Sequence, residues 1–429
     1  MKLDSKMTWF SLLIVVLLVL VLFVQQGPNF TPAKDTRLSS FGGYSIIMSN
    51  EDKQRLHEGL LKPPDIFVSH HWHGGHVKTI KNAYPDKKII IYRNCRKVNR
   101  HRTEQWASQG ENRIAEYEIA VKNNWILKDS SGNYIYSTKH GQDYLLADLG
   151  NQGWQEFVAD WIKFYIDTYG FDGVFLDNGL FCRVDEWLWS VSGKAINPRT
   201  GTYFTDEETI SYFIQIHDKI RNKIGDNKLL ICNGIWHGRR FFDRKEDYLR
   251  IMEKGNIDGF MSEGIFGHGG QFLAEDVWRK GVDFVVWAQD HWLNKGKIFV
   301  SHVDDVWNPP KGLTLEEWCT FVFASTLLGV KTETSKNNYF SVYGAWFKDY
   351  VIRLHNTDVG VPTEDYHIIE GTHVYMRKFS KALVIVNPTT VSYSLNLDKE
   401  HKTLDGQTIS TVTLDDHTGV ILLNISLTN

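Results

Sequence analysis

The 429-residue chain has no surplus of either charge: 48 Lys and Arg stand against 51 Asp and Glu, and the signs are mixed along the sequence. A net charge of −3 gives nothing that points to nucleic acid as the main partner. Cysteine is scarce, with four residues and no Cys-x-x-Cys, so the sequence demands neither a disulfide framework nor a paired-thiol motif. There is no low-complexity tract and no repeat of solenoid period. No Gly-rich phosphate turn follows the first expected strand, which removes the main support for an open, dinucleotide-binding sheet. What remains is a packed globular chain, long enough for a barrel of about 300 residues and a smaller module.

The positive features begin at the N-terminus. Lys2 and Lys6 precede an uncharged run from Met7 to Val24, near the lower limit of about 17 residues for a membrane span. Lysines before the run and none just after it predict an N-terminus inside and the body outside. Residues 1–24 read as an uncleaved signal anchor, with a cleaved signal peptide as the rival, and residues 25–38 as a tether. Both readings export the body: membrane-anchored in the first, secreted in the second.

Beyond the tether, short β-branched runs alternate with amphipathic segments, the pattern of a parallel α/β architecture. Strands are expected at Tyr44–Met48, Asp65–His70, Lys88–Asn94, Phe171–Asn178, Lys228–Gly234, Ile257–Gly264, Lys297–His302 and Tyr339–Tyr343. Helices are expected between them, the clearest at Trp154–Tyr169, where Trp154, Phe157, Val158, Trp161, Ile162, Tyr165 and Ile166 share a face. Eight such strands predict a closed (β/α)8 barrel over residues 39–350. From 351 to 429 the texture becomes short strands split by turns, a small antiparallel, β-sandwich-like domain with a structural role.

In such a barrel the active site lies at the C-terminal ends of the strands. Two acids stand there in the same local grammar: Asp172-Gly-Val-Phe-Leu-Asp177 and Asp258-Gly-Phe-Met-Ser-Glu263. Glycoside hydrolysis needs two carboxyl groups across the scissile bond, one protonated for the leaving oxygen and one ionised. Asp177 on strand four and Glu263 on strand six can face each other across the mouth, without metal or cofactor. A strand-end Asp that caps a helix or pairs with an Arg is the plainer alternative. The opening Asp172 and Asp258 fall at the opposite, stability end and read as turn residues. Candidates for substrate contact at the same face are His71, Trp72, His73, Arg93, Asn94, Asn178, Asn233, Trp236, His302 and Asp304.

The segment Gly170-Phe-Asp-Gly-Val-Phe-Leu-Asp-Asn178 resembles the strand-four motif of glycoside hydrolase barrels. These include the endo-α-1,4-polygalactosaminidase-like families and, more distantly, α-amylase and α-galactosidase relatives. Leu146-Ala-Asp-Leu-Gly-Asn and Asp358-Val-Gly-Val-Pro are similar to those families too, so the resemblance runs over roughly 40–425. It implies a nucleophile at Asp177 and, as in the strand-six subgroup, a proton donor at Glu263. The strand-five Glu of α-amylase relatives is absent: Asn233 stands there.

Two other readings stay open. One is a metal-dependent hydrolase using the His70–His76 cluster, with His302 and Asp304 as further ligands, although strand one offers no ligand. The other is a catalytically idle barrel that binds glycans. The basic run Arg93, Arg96, Lys97, Arg100 and Arg102 is either a solvated loop or a site for an anionic poly- or oligosaccharide. Trp187, Trp189, Trp236 and Trp292 are candidates for stacking on sugar rings, and Cys95 and Cys182 could meet at the top of the barrel.

Overall fold

A computed structural model describes residues 37–44, 50–99, 116–304, 308–310, 312–342 and 345–425. The expected anchor over 1–24, most of the tether, Arg100 and Arg102 lie outside the described residues. Among the described residues no helix is long and apolar enough to cross a membrane.

Eight parallel strands close into a barrel: β1 (Ser39–Tyr44), β2 (Ile66–Ser69), β3 (Lys88–Asn94), β4 (Gly173–Asp177), β5 (Leu229–Asn233), β6 (Gly259–Ser262), β7 (Ile298–Val303) and β8 (Asn338–Val342). Each pairs with its sequence neighbours, and β8 returns to β1 through Ser39 opposite Tyr339. The helices that follow the strands are α1 (Asn50–His57), α2 (Gly74–Ala83), α3 (Gln152–Tyr169), α4 (Asp206–Ile224), α5 (Lys245–Lys254), α6 (Glu275–His291), α7 (Leu315–Gly329) and α8 (Asp349–Asn356).

Side chains alternate along each strand, so one set fills the barrel and the other meets the helices. Phe41, Ile66, Ile90, Phe175, Ile231, Met261, Ile298 and Val300 form the interior cluster. The outer set joins the helices in a larger core, and β7 is buried at all six positions because both its faces are covered.

The first strand is where the expectation needs correcting. It runs over Ser39–Tyr44 rather than Tyr44–Met48, and residues 45–49 lie outside the described residues. Ser-Ser-Phe-Gly-Gly-Tyr has no β-branched residue to advertise a strand. Its register is fixed by tertiary pairing, Phe41 opposite Ile66, and by Ser40, whose backbone N–H and hydroxyl donate to Asp65 at 2.8 and 2.9 Å. Helix α4 starts at Asp206 because Thr205 and Glu208 close a capping box.

The repeated Asp-Gly explains itself at the lower rim. Asp172 accepts the Ile89 N–H at 2.9 Å and pairs with Lys81 at 2.8 Å. Asp258 accepts the Leu230 N–H at 2.8 Å and pairs with Arg221 at 2.6 Å. Asp65 does the same with Ser40 and with Lys87 at 2.7 Å. Each acid leads an even strand and staples it to the strand before, which is more than a turn residue does. The glycines follow from crowding: a Cβ on Gly173 would lie 2.1 Å from the Leu229 carbonyl oxygen, and one on Gly259 would lie 2.6 Å from Ile298 Cβ.

After α8 comes a six-stranded antiparallel sheet of β9 (His367–Ile368), β10 (Tyr375–Lys378), β11 (Ala382–Asn387), β12 (Tyr393–Lys402), β13 (Thr408–Leu414) and β14 (Thr418–Asn424), in the order β9-β10-β11-β14-β12-β13. Ala382, Val384 and Val386 of β11 face the barrel core, while Leu383 and Ile385 enter a second core with Val412, Leu414 and Leu422. Arg377 crosses to the end of α7, donating to the carbonyls of Leu328 and Val330 at 2.6 and 2.9 Å.

Candidate active site

Asp177 ends β4 and Asn233 ends β5, while Glu263 follows the last residue of β6. The three meet at the mouth. One amide nitrogen of Asn233 donates to both acids, 2.9 Å to Asp177 Oδ1 and 2.6 Å to Glu263 Oε1. The second oxygen of Asp177 accepts from Asn94 Nδ2 at 2.6 Å and from the Tyr92 hydroxyl. Asn178 contributes its backbone: at φ 55° its N–H donates to Asn233 Oδ1 at 2.5 Å, which fixes the way the amide faces.

Burial pushes the Glu263 carboxyl up to about 8, and the neighbouring Asp177 and Asp304 add to the rise, while the Asn233 hydrogen bond and His268 oppose it. It therefore holds its proton at neutral pH. Asp304 is bonded to His268 Nδ1, and the His268 ring lies 4.6 Å from Trp236. Trp236 is held by Arg240 at 4.7 Å, itself paired to buried Glu186 at 3.3 Å, and meets Trp189 edge-on at 5.4 Å. On the opposite flank Trp72 stacks on His70 at 4.1 Å, and His70 packs on Tyr92 at 4.8 Å.

Of the expected contact residues, Asn94, Asn178 and Asn233 therefore gather around the two acids, with Asp304 and Trp236 beyond Glu263 and Trp72 beyond Tyr92. Four others are directed elsewhere. His71 is buried against Trp161 and Tyr165 of α3, 5.2 and 5.3 Å away. His73 turns toward His76 at 6.3 Å, and burial lowers it to about 4, helped by Lys53 and His76. Arg93 alternates away from Tyr92 and Asn94; it forks onto Glu116 with two bonds of 2.9 Å and lies 4.8 Å over Trp161. His302 is buried in the barrel, bonded to Ser341 Oγ at 3.0 Å and lowered to about 4 by burial.

Trp187 and Trp292 are core residues, which leaves Trp189 and Trp236, both half-buried, as the candidates for stacking. The cysteines are all free and buried. Cys95 donates to the Asn178 carbonyl at 3.2 Å and Cys182 points at Glu186, so the two do not meet in a disulfide. Among the described residues no group of three or more His, Cys, Asp or Glu side chains is placed to hold a metal ion.

Two residues at the site were not expected from the sequence. Tyr92 was findable, since it stands two residues before Asn94 on the same strand face. His268 was not: it sits on a short hairpin, Gly267–His268 against Gln271–Phe272, with no strand-end grammar to mark it.

With the geometry in place, the profile of hypothetical glycosyl hydrolase family 15 matches residues 81–383, well over half of the chain. The chain belongs to this family. The match runs from within α2 through β10 to the first two residues of β11, and so includes both acids and Asn233. It makes the chain a glycoside hydrolase barrel by kinship, without carrying the narrower likeness to polygalactosaminidase-like or α-galactosidase families that the strand-four motif implied. No curated protein matches the chain. Solved structures that resemble it include an α-amylase from Anoxybacillus, 11% identical over 88% of this chain and 89% of that one at a TM-score of 0.45. Others are the Nostoc punctiforme debranching enzyme (10%, 89% and 89%, 0.47) and the trehalose-6-phosphate hydrolase of Bacillus licheniformis (10%, 92% and 100%, 0.46). None of these likenesses bears on the chemistry of this chain.

Proposed function

We propose that this member of the family is a retaining glycosidase acting on a poly- or oligosaccharide, with Asp177 as nucleophile and Glu263 as general acid and then base. The observation that carries the proposal is the Asn233 amide. One nitrogen that touches both carboxyl groups keeps the nearest oxygens within about 5.5 Å of each other, the spacing at which the second acid attacks the sugar directly. A wider gap of about 6.5–9.5 Å would leave room for a water and give inversion.

In the first step Glu263 gives its proton to the glycosidic oxygen as an Asp177 oxygen bonds to the anomeric carbon and the leaving sugar departs. In the second, the Glu263 carboxylate takes a proton from water. The resulting hydroxide-like oxygen attacks the anomeric carbon, and the bond to Asp177 breaks. Tyr92 and Asn94 hold one oxygen of Asp177 and aim the other. Trp236 and Trp189 offer faces for neighbouring sugar rings.

The same reading places the work outside the membrane, supported by the two lysines ahead of the apolar run Met7–Val24. The test of the chemistry is to follow product configuration by NMR for whichever glycan in a panel of neutral, amino and acidic polysaccharides yields reducing ends. A first product with the configuration of the substrate supports the proposal. An inverted first product contradicts it, and no release from any glycan, with binding retained, points instead to an idle glycan-binding barrel.

A further inference from the structure

The end of β3 and the excursion that follows it carry basic residues, and the described ones are of two kinds. Arg93 is occupied by Glu116. Arg96 is fully buried, with its guanidinium bonded to the Trp187 carbonyl and lying 5.4 Å from the Trp189 ring. Neither is available to a ligand. Lys97 and Lys139 are different: among the described residues neither ammonium makes a hydrogen bond or an ion pair.

Their placement is specific. Lys97 opens a two-stranded ribbon, Lys97–Asn99 against Tyr144–Leu146. Its backbone N–H donates to Asn94 Oδ1 at 3.1 Å, and Asn94 is the residue whose amide holds Asp177. The start of the ribbon is thus tied to the nucleophile. Lys139 lies on the excursion's outer turn, with Nζ 5.2 Å over the Trp189 ring, and Trp189 continues through Trp236 to His268. Burial lowers the half-buried Lys97 to about 8, with Asp177 and Glu263 opposing and Arg96 and Lys139 adding to the fall. At neutral pH it is an ammonium stripped of much of its water, with no ion pair among the described residues and only the nearby charge of Asp177 to offset its burial, an arrangement that an anionic ligand would stabilise.

We propose that Lys97 and Lys139, together with the Trp189 ring, form an anion subsite at the barrel mouth, and that the substrate is a glycan bearing carboxylate or sulfate groups. This deepens the glycosidase reading of Asp177 and Glu263 and rests on it. The aromatic face takes the sugar ring while the two ammonium groups take the charge beside it. A role limited to tuning the two acids would weaken every substrate alike, whereas an anion subsite discriminates between substrates.

The experiment is calorimetric binding to the full chain carrying Glu263→Gln, in which cleavage of a bound glycan is slowed by about 10²–10⁴. The probes are oligogalacturonate and chondroitin sulfate oligosaccharides, against cello-oligosaccharides and chitosan oligomers of similar length. At least one anionic probe is expected to bind about tenfold or more tighter than the neutral one, and more weakly as salt is raised. Which anionic probe wins separates carboxylate from sulfate. Lys97→Met or Lys139→Met is expected to erase that preference, and Lys97→Arg to keep part of it. Equal or tighter binding of the neutral or amino glycan would overturn the proposal, as would a preference that survives both Met substitutions, or no binding of any probe. Hydrolysis of the same glycans by the unsubstituted protein, lost in Asp177→Asn, reports separately on the glycosidase reading.

Discussion

Because Asn233 donates from one nitrogen to Asp177 and Glu263, a change at this one position moves both acids together. The same proximity acts on the Glu263 proton. Burial and the charge of Asp177 keep the Glu263 proton in place up to about 8, against an ordinary value of 4.5. For activity this predicts an alkaline limb near pH 8, where the general acid is lost. For stability the sign runs the same way. The folded chain binds this proton through a range where the unfolded chain has released it, so the stabilisation is whole below about pH 4.5 and drains away as pH rises to about 8. Glu263→Gln removes the titration. Its melting temperature should fall less than that of the parent between pH 5 and 8, the gap levelling off above. Parallel melting curves across that range would mean that the carboxyl is not held protonated.

At the scale of elements, the lower rim is built from one device used three times, an acid ahead of β2, β4 and β6 that captures the neighbouring strand's N–H and a basic side chain. The Asp258 copy holds the most buried partner, since the Arg221 side chain is 6% exposed. Asp258→Ala should therefore destabilise the chain by about 3 kcal/mol, measured by denaturant unfolding, because the buried guanidinium keeps its bonds to the carbonyls of Gly225, Lys228 and Asn256 but loses its carboxylate. A loss under about 1 kcal/mol would reduce the pair to a surface contact. Element by element, seven of the eight barrel strands were legible, most from β-branched runs and β4 and β6 from the apolar stretch between an opening Asp-Gly and a closing acid, and α3 from its aromatic stripe. β1 was not, because pairing partners rather than propensity make Ser39–Tyr44 a strand. The meeting of Asp177 and Glu263 at the barrel mouth was legible because strand-end position and motif agreed. The direction of Arg93, His71 and His73 was not, since facing the helices or the mouth depends on a single residue of register and on packing against α3.

Over the whole molecule, the C-terminal sheet is continuous with the barrel rather than appended to it. Val384, Val386 and Ile421 belong to the same core as Leu327 and Leu328 of α7, and Arg377 seals the carbonyls at that helix's end. The His417 ring of the sheet stacks at 3.8 Å on Phe272, in the hairpin that carries His268 to Glu263. Barrel and sheet should therefore melt in one transition by calorimetry, and a chain ending at 350 should fail to fold, since it leaves that face of the core open. Two separable transitions would show the sheet to be an independent module.

The measurement that bears most directly on the two-acid site is release of reducing ends by the unsubstituted chain beside Asp177→Asn and Glu263→Gln, on the glycan it cleaves best. The account predicts activity in the first, no turnover with Asp177→Asn, and a fall of about 10²–10⁴ with Glu263→Gln. Activity that survives both substitutions would contradict it.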